Sequence, residues 1–264
     1  MNRQLPLEDF FRISERTGYQ LSPDGTYISY MAPYKERLNI FVRRVTDTDE
    51  QATRITHETQ RSVAGYMWAD NQRLLFIKDT AGDENYQLYG VRRDGSDERA
   101  YTAFEGVRTS IIDELEEQKG YILIGMNRRI REIFDPYRLN IETGELTLLA
   151  ENPGNIQSWM TDHDGRLRVA TAIVDGVNTQ ILYRDTEDEE FRPVLTTNFR
   201  DSVCFIGFTP DNREVYAITN LNRDKNALVR MNPATCEELE LLYENDRYDI
   251  SSIVYSRKRK KLLS

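Results

Sequence analysis

The chain has 264 residues, 39% of them apolar and 30% charged, a balance that excludes a disordered polymer and allows a large core. Its net charge of −9 excludes a general nucleic-acid binder, which needs positive surface to displace counterions from phosphate. Two cysteines, Cys204 and Cys236, are too few for a disulfide scaffold and read as small, reduced, partly buried side chains.

Residues 1–20 read as an N-terminal extension, with a short helical turn expected over Leu7–Ser14, where Phe10, Phe11 and Ile13 cluster. Met1–Asp9 contains no apolar core segment and so no signal peptide. The longest apolar runs, such as Tyr121–Met126, are far too short to cross a bilayer. The expectation is a cytoplasmic protein with no membrane partner, or a periplasmic one if a leader preceded Met1.

From residue 21 onward one pattern repeats. Turn signals stand at Pro23-Asp24-Gly25, Ala69-Asp70-Asn71, Glu117-Gln118-Lys119, His163-Asp164-Gly165, Pro210-Asp211-Asn212 and Arg257-Lys258-Arg259. Their middle residues, 24, 70, 118, 164, 211 and 258, are separated by 46, 48, 46, 47 and 47 residues. Several short strands in a unit of roughly 40 to 50 residues are the requirement of a β-propeller blade.

Each unit divides into strands in the same order. The first has Tyr27–Met31, Leu38–Val45 and Ala52–Thr56. Val63–Trp68 opens the second, followed by Arg73–Lys78, Tyr86–Arg92 and Arg99–Thr102. In the third, the acidic stretch from Thr109 is read as a strand to Leu115 rather than a helix, because the repeat places one there. Gly120–Met126, Tyr137–Ile141 and Leu146–Ala150 follow it. The fourth has Leu167–Ile173, Thr179–Asp185 and Phe191–Leu195, and the fifth Glu214–Thr219, Ala227–Asn232 and Leu239–Tyr243. Ser252–Tyr255 and Leu262-Leu263 begin a sixth. Alternating runs broken by Asp-Gly, Asn and Pro signals predict antiparallel meanders. The expected fold is all-β: a partial propeller over 21–264, with four-stranded antiparallel blades, five whole and a sixth begun. An arc that stops there leaves a blade face wet, so the chain is expected to be part of a longer protein.

The run Leu21-Ser22-Pro23-Asp24-Gly25-Thr26-Tyr27-Ile28-Ser29-Tyr30, continued by Asn39-Ile40-Phe41-Val42, resembles the propeller of the prolyl oligopeptidase family of serine peptidases. Leu5-Pro6-Leu7-Glu8-Asp9-Phe10-Phe11 is similar to the segment before the first blade in bacterial members. Asp79-Thr80-Ala81-Gly82-Asp83-Glu84-Asn85-Tyr86-Gln87-Leu88-Tyr89 is similar to the family's second blade. The resemblance implies a propeller that gates access and helps select oligopeptide substrates for a C-terminal α/β-hydrolase domain, its partner in the same protein. A stand-alone propeller that binds other proteins is the alternative. A propeller lyase or sugar hydrolase would need carboxylates, histidines or arginines clustered in the channel. The oligomeric state stays open.

No Gly-x-Ser-x-Gly pentapeptide occurs, so the strained turn that presents a hydrolase serine is absent from this sequence. Ser96 sits in a hairpin turn. The two histidines, His57 and His163, read as exposed loop residues, and no catalytic residue is assigned. The His and Cys residues lack the close spacing of a zinc site, Asp185–Glu190 lacks the glycine of a calcium loop, and no phosphate loop is present. No metal or cofactor is expected. The glutamate pairs Glu116-Glu117, Glu189-Glu190 and Glu237-Glu238 fall at turns and read as solvated. Arg128, Arg129 and Arg131, in the middle loop of the third unit, are the candidate substrate-binding residues. They have the charge to meet a substrate carboxylate or the catalytic domain. The basic run Arg257–Lys261 is read as a turn, and Trp68 and Trp159 as packing between units.

Overall fold

A computed structural model describes residues 6–7, 15–256 and 259–263. Most of the helical turn expected over Leu7–Ser14 lies outside the described residues, as do Arg257 and Lys258 of the last turn. From Glu15 onward the described chain is all-β apart from one 3-10 turn, Asp49–Gln51. Its strands form five four-stranded antiparallel sheets and one two-stranded ribbon, the blades of a β-propeller.

The first sheet runs β1 (Thr17–Leu21), β2 (Tyr27–Tyr34), β3 (Arg37–Arg44) and β4 (Thr53–Arg54). The second has β5 (Gly65–Trp68), β6 (Arg73–Lys78), β7 (Gln87–Arg92) and β8 (Arg99–Ala100). The third has β9 (Thr109–Asp113), β10 (Tyr121–Ile130), β11 (Ile133–Asn140) and β12 (Leu146–Leu148). The fourth has β13 (Ile156–Thr161), β14 (Leu167–Val174), β15 (Asn178–Tyr183) and β16 (Arg192–Thr197). The fifth has β17 (Val203–Phe208), β18 (Val215–Thr219), β19 (Ala227–Met231) and β20 (Glu238–Tyr243). The ribbon pairs β21 (Tyr255–Ser256) with β22 (Lys261–Leu262). Neighbours in sequence are neighbours in space throughout, the order of a meander.

The Asp-Gly and Asp-Asn signals are turns for a definable reason. The Ser22 hydroxyl donates to the Asp24 carboxylate at 2.6 Å and accepts the Tyr27 N–H at 2.9 Å, while Asp24 accepts the Thr26 N–H. Four periods later Thr209, Asp211, Arg213 and Glu214 repeat the pattern. The residue after the aspartate is left-handed in each case, Gly25 at φ 71° and Asn212 at φ 60°, which glycine and asparagine tolerate best. Asn71 and Asn212 have a second role. Their side-chain oxygens accept the backbone N–H of Asp24 and His163, at 3.0 and 2.9 Å, and so tie one sheet's turn to the next.

Second strands carry unbroken buried runs, Arg73–Phe76 in β6 and Ile122–Met126 in β10. A middle strand covered on both faces needs no polar alternation, which explains why these stretches read as continuous apolar segments. Ile40, Val42, Ile55, Leu74, Phe76 and Val91 make one core cluster between the first and second sheets. Val169, Ile181, Val215, Ala217 and Val229 belong to another, between the fourth and fifth. Trp68 joins sheets as expected, its indole N–H donating to Ser29 at 2.9 Å. Tyr66 donates to the Gly18 carbonyl at 2.5 Å, and burial pushes its phenol up to about 12. Cys236 is buried, its thiol raised to about 11 by desolvation; Cys204 is exposed, not partly buried.

Contacts divide the chain into two compact units. The first is Met1–Ser110 with Met126–Arg131 and Ile141–Gly144; the second is Ile111–Gly125, Glu132–Asn140 and Glu145–Ser264. No helix among the described residues is long and apolar enough to cross a membrane.

Candidate functional site

The second unit contains a cavity of about 370 Å³ at the C-terminal ends of β9, β13 and β17, with Tyr216 of β18 and Tyr255 of β21 completing its wall. These are the opening strands of three successive sheets. Trp159, Phe208, Tyr216, Tyr255 and several isoleucines make the sides, and the turn after β9 brings Glu116 and Glu117 to one end. Trp159 is fixed by a tilted contact with Phe191, ring centres 5.6 Å apart, and by a cluster containing Leu115, Leu123 and Leu167.

His163 departs from its expected exposed position. Its side chain is only 14% exposed. Nε2 lies 3.0 Å from the Phe208 carbonyl oxygen, and the ring faces Tyr255 at 6.0 Å. Nδ1 stands 4.0 Å from one Glu117 oxygen, and the other is 3.6 Å from the Lys260 ammonium. The turn signals of the third and fourth repeats therefore meet at this cavity, with Lys260 of the sixth unit beside Glu117. Sequence spacing marked each as a turn, but carried no sign that side chains 46 to 143 residues apart converge, since that depends on how successive sheets are placed.

The acidic groups at the cavity are unequal. Asp113 accepts the Thr161 hydroxyl, and Asp162 accepts the N–H groups of Asp164 and Arg166 and pairs with Arg168 at 3.4 Å. Among the described residues Glu117 has only two loose neighbours, the His163 ring at 4.0 Å and the Lys260 ammonium at 3.6 Å. Among the described residues Glu116 has no hydrogen-bond or ion-pair partner.

Arg128, Arg129 and Arg131 are exposed and are not among the residues lining this cavity. The reading of all three as loop residues needs correction: β10 continues through Ile130, and only Arg131 lies in the two-residue turn to β11. Charged side chains facing water do not interrupt a ladder that closes through so tight a hairpin. The Arg128 guanidinium sits 4.2 Å from the centre of the Phe104 ring, and the Asn127 amide donates to the Arg131 carbonyl at 2.7 Å. His57 is exposed. Ser96 donates to Asp94 at 2.6 Å within its hairpin turn. Among the described residues no three His, Cys, Asp or Glu side chains are grouped to hold a metal ion.

No family model matches the chain. Over 89% of its length it is 29% identical to dipeptidyl aminopeptidase BIII of Pseudoxanthomonas mexicana, covering 34% of that protein. Over 98% of its length it is 25% identical to dipeptidyl peptidase family member 6 of Caenorhabditis elegans, covering 37%. The chain matches the N-terminal propeller of prolyl oligopeptidase-family peptidases. It spans about a third of the length of the curated relatives it matches. Oligopeptidase B from Leishmania major is similar to this chain at a TM-score of 0.56 and 10% identity, over 93% of this chain and 37% of that one, a likeness of fold.

Proposed function

We propose that this chain is the non-catalytic propeller of a serine peptidase, gating access and helping to select oligopeptides for an α/β-hydrolase domain of the same protein. The observation that carries this reading is the 29% identity to a dipeptidyl aminopeptidase across 89% of the chain. Two features support it. The meander of four-stranded sheets is the architecture of a propeller, and the sequence has no nucleophile elbow of its own. Chemistry then belongs to another domain, and this one contributes shape and charge.

The test compares the chain with the whole protein. Residues 1–264 should neither hydrolyse peptide amides nor react with a fluorophosphonate, whereas the intact protein should do both. Its cleavage rate should fall steeply between short peptides and a folded protein containing the same cleavable sequence. An intact protein that is never labelled would defeat the peptidase reading and favour a protein-binding propeller. Equal cleavage of short and folded substrates would defeat gating.

A further inference from the structure

We propose that the cavity beside His163 binds a cationic side chain, that of a lysine or arginine in a peptide. The word peptide rests on the peptidase reading above; the preference for a cation comes from the cavity alone. Four carboxylates line it (Asp113, Glu116, Glu117 and Asp162), and among the described residues no lysine or arginine does. Asp113 and Asp162 are already held by Thr161, Arg168 and backbone N–H groups, which leaves Glu116 and Glu117 to meet a ligand.

The walls suit the same chemistry. The rings of Tyr216 and Tyr255 stand 6.0 Å apart at 46°, and Trp159 shares the lining. Aromatic faces attract a guanidinium or ammonium, and the methylene stem of a long cationic side chain packs on their apolar surface. At about 370 Å³ the cavity holds one such side chain rather than a length of folded chain. The protein itself supplies an ammonium at the acidic end. Lys260 lies 3.6 Å from Glu117, outside hydrogen-bonding distance, so a cation reaches this carboxylate without saturating it.

The experiment uses the whole 264-residue chain, labelled with nitrogen-15, and follows the two indole N–H resonances, assigned with Trp68→Phe. Probes are the Nα-acetyl amides of arginine, lysine, citrulline and norleucine, none of which carries an α-ammonium. The arginine and lysine probes should shift the Trp159 resonance and leave that of Trp68 in place. Citrulline, close in shape but uncharged, should bind at least about tenfold more weakly, as should arginine to Glu116→Gln or Glu117→Gln, the scale of one charge-assisted contact. Lys260→Gln should tighten binding by freeing Glu117. Because Glu116 is exposed and unpartnered, its substitution leaves the fold intact. Equal affinity for arginine and citrulline, indifference to Glu116→Gln and Glu117→Gln, or no shift of Trp159 would each overturn the proposal. Failure of the intact protein to hydrolyse peptides would overturn the peptidase reading and leave this binding result standing.

Discussion

Thr56 and Thr102 stand one repeat apart, are fully buried, and have the same task. Each hydroxyl accepts a strand N–H, Ile40 for Thr56 at 2.9 Å and Leu88 for Thr102 at 2.8 Å, just past the short last strand. Thr102→Val keeps the shape and orphans the Leu88 N–H and the Thr109 hydroxyl, so it should destabilise the fold by about 1–3 kcal/mol in urea unfolding, with Thr102→Ser recovering most of the loss. Asp97 has a different role. Hydrogen bonds from Arg99 at 2.9 Å and from the buried Arg73 at 2.5 Å hold its carboxyl down at about 2. A carboxylate depressed by folding adds stability above its ordinary range, and that stability is lost as pH falls from about 4 toward 2. Asp97→Asn, which also suits the left-handed backbone at φ 53°, should flatten the acid limb of a stability–pH curve. An unchanged limb would assign the acid sensitivity to other groups.

At the level of single elements, the β2–β3 hairpin closes through Lys35 and Glu36, with φ of 48° and 63°. Two consecutive left-handed residues mark a type I′ turn, which Asn-Gly fits far better than Lys-Glu. Replacing Lys35-Glu36 by Asn-Gly should raise stability by about 1 kcal/mol, seen as a higher melting temperature with unchanged strand content. This hairpin also shows where sequence reading falters. The residue pattern predicts β2 only to Met31, but it runs to Tyr34; it predicts β10 only to Met126, but it runs to Ile130. Both extensions carry exposed residues, and a ladder of backbone hydrogen bonds continues through them with no apolar signature. In contrast, the β9 strand was legible from Thr109 because the 47-residue rhythm left no room for a helix there.

Across the whole molecule, repeats bound to their neighbours give a stability that is approximately a sum of local and nearest-neighbour terms. The side-chain oxygens of Asn71 and Asn212 each join two consecutive turns. Asn71→Ala and Asn212→Ala should each cost about 1 kcal/mol. They share no partner, so the double variant should equal the sum within about 0.5 kcal/mol in denaturant unfolding. A large excess over additivity would mean that the turns act as one cooperative set.

The repeat, its meander and the absence of a hydrolase elbow followed from the order of residues, because turn chemistry and strand pairing between chain neighbours are local. The resemblance carried by Leu21–Tyr30 and Asp79–Tyr89 is equally local. The cavity was not. His163, Glu117, Tyr216, Tyr255 and Lys260 come from four repeats, and none is distinguished by its neighbours in sequence. Only the placing of successive sheets brings a histidine out of water, sets Glu116 and Glu117 against aromatic walls, and leaves Arg128, Arg129 and Arg131 off that lining. Side chains distant in sequence acquire a shared environment only when tertiary packing removes the water between them.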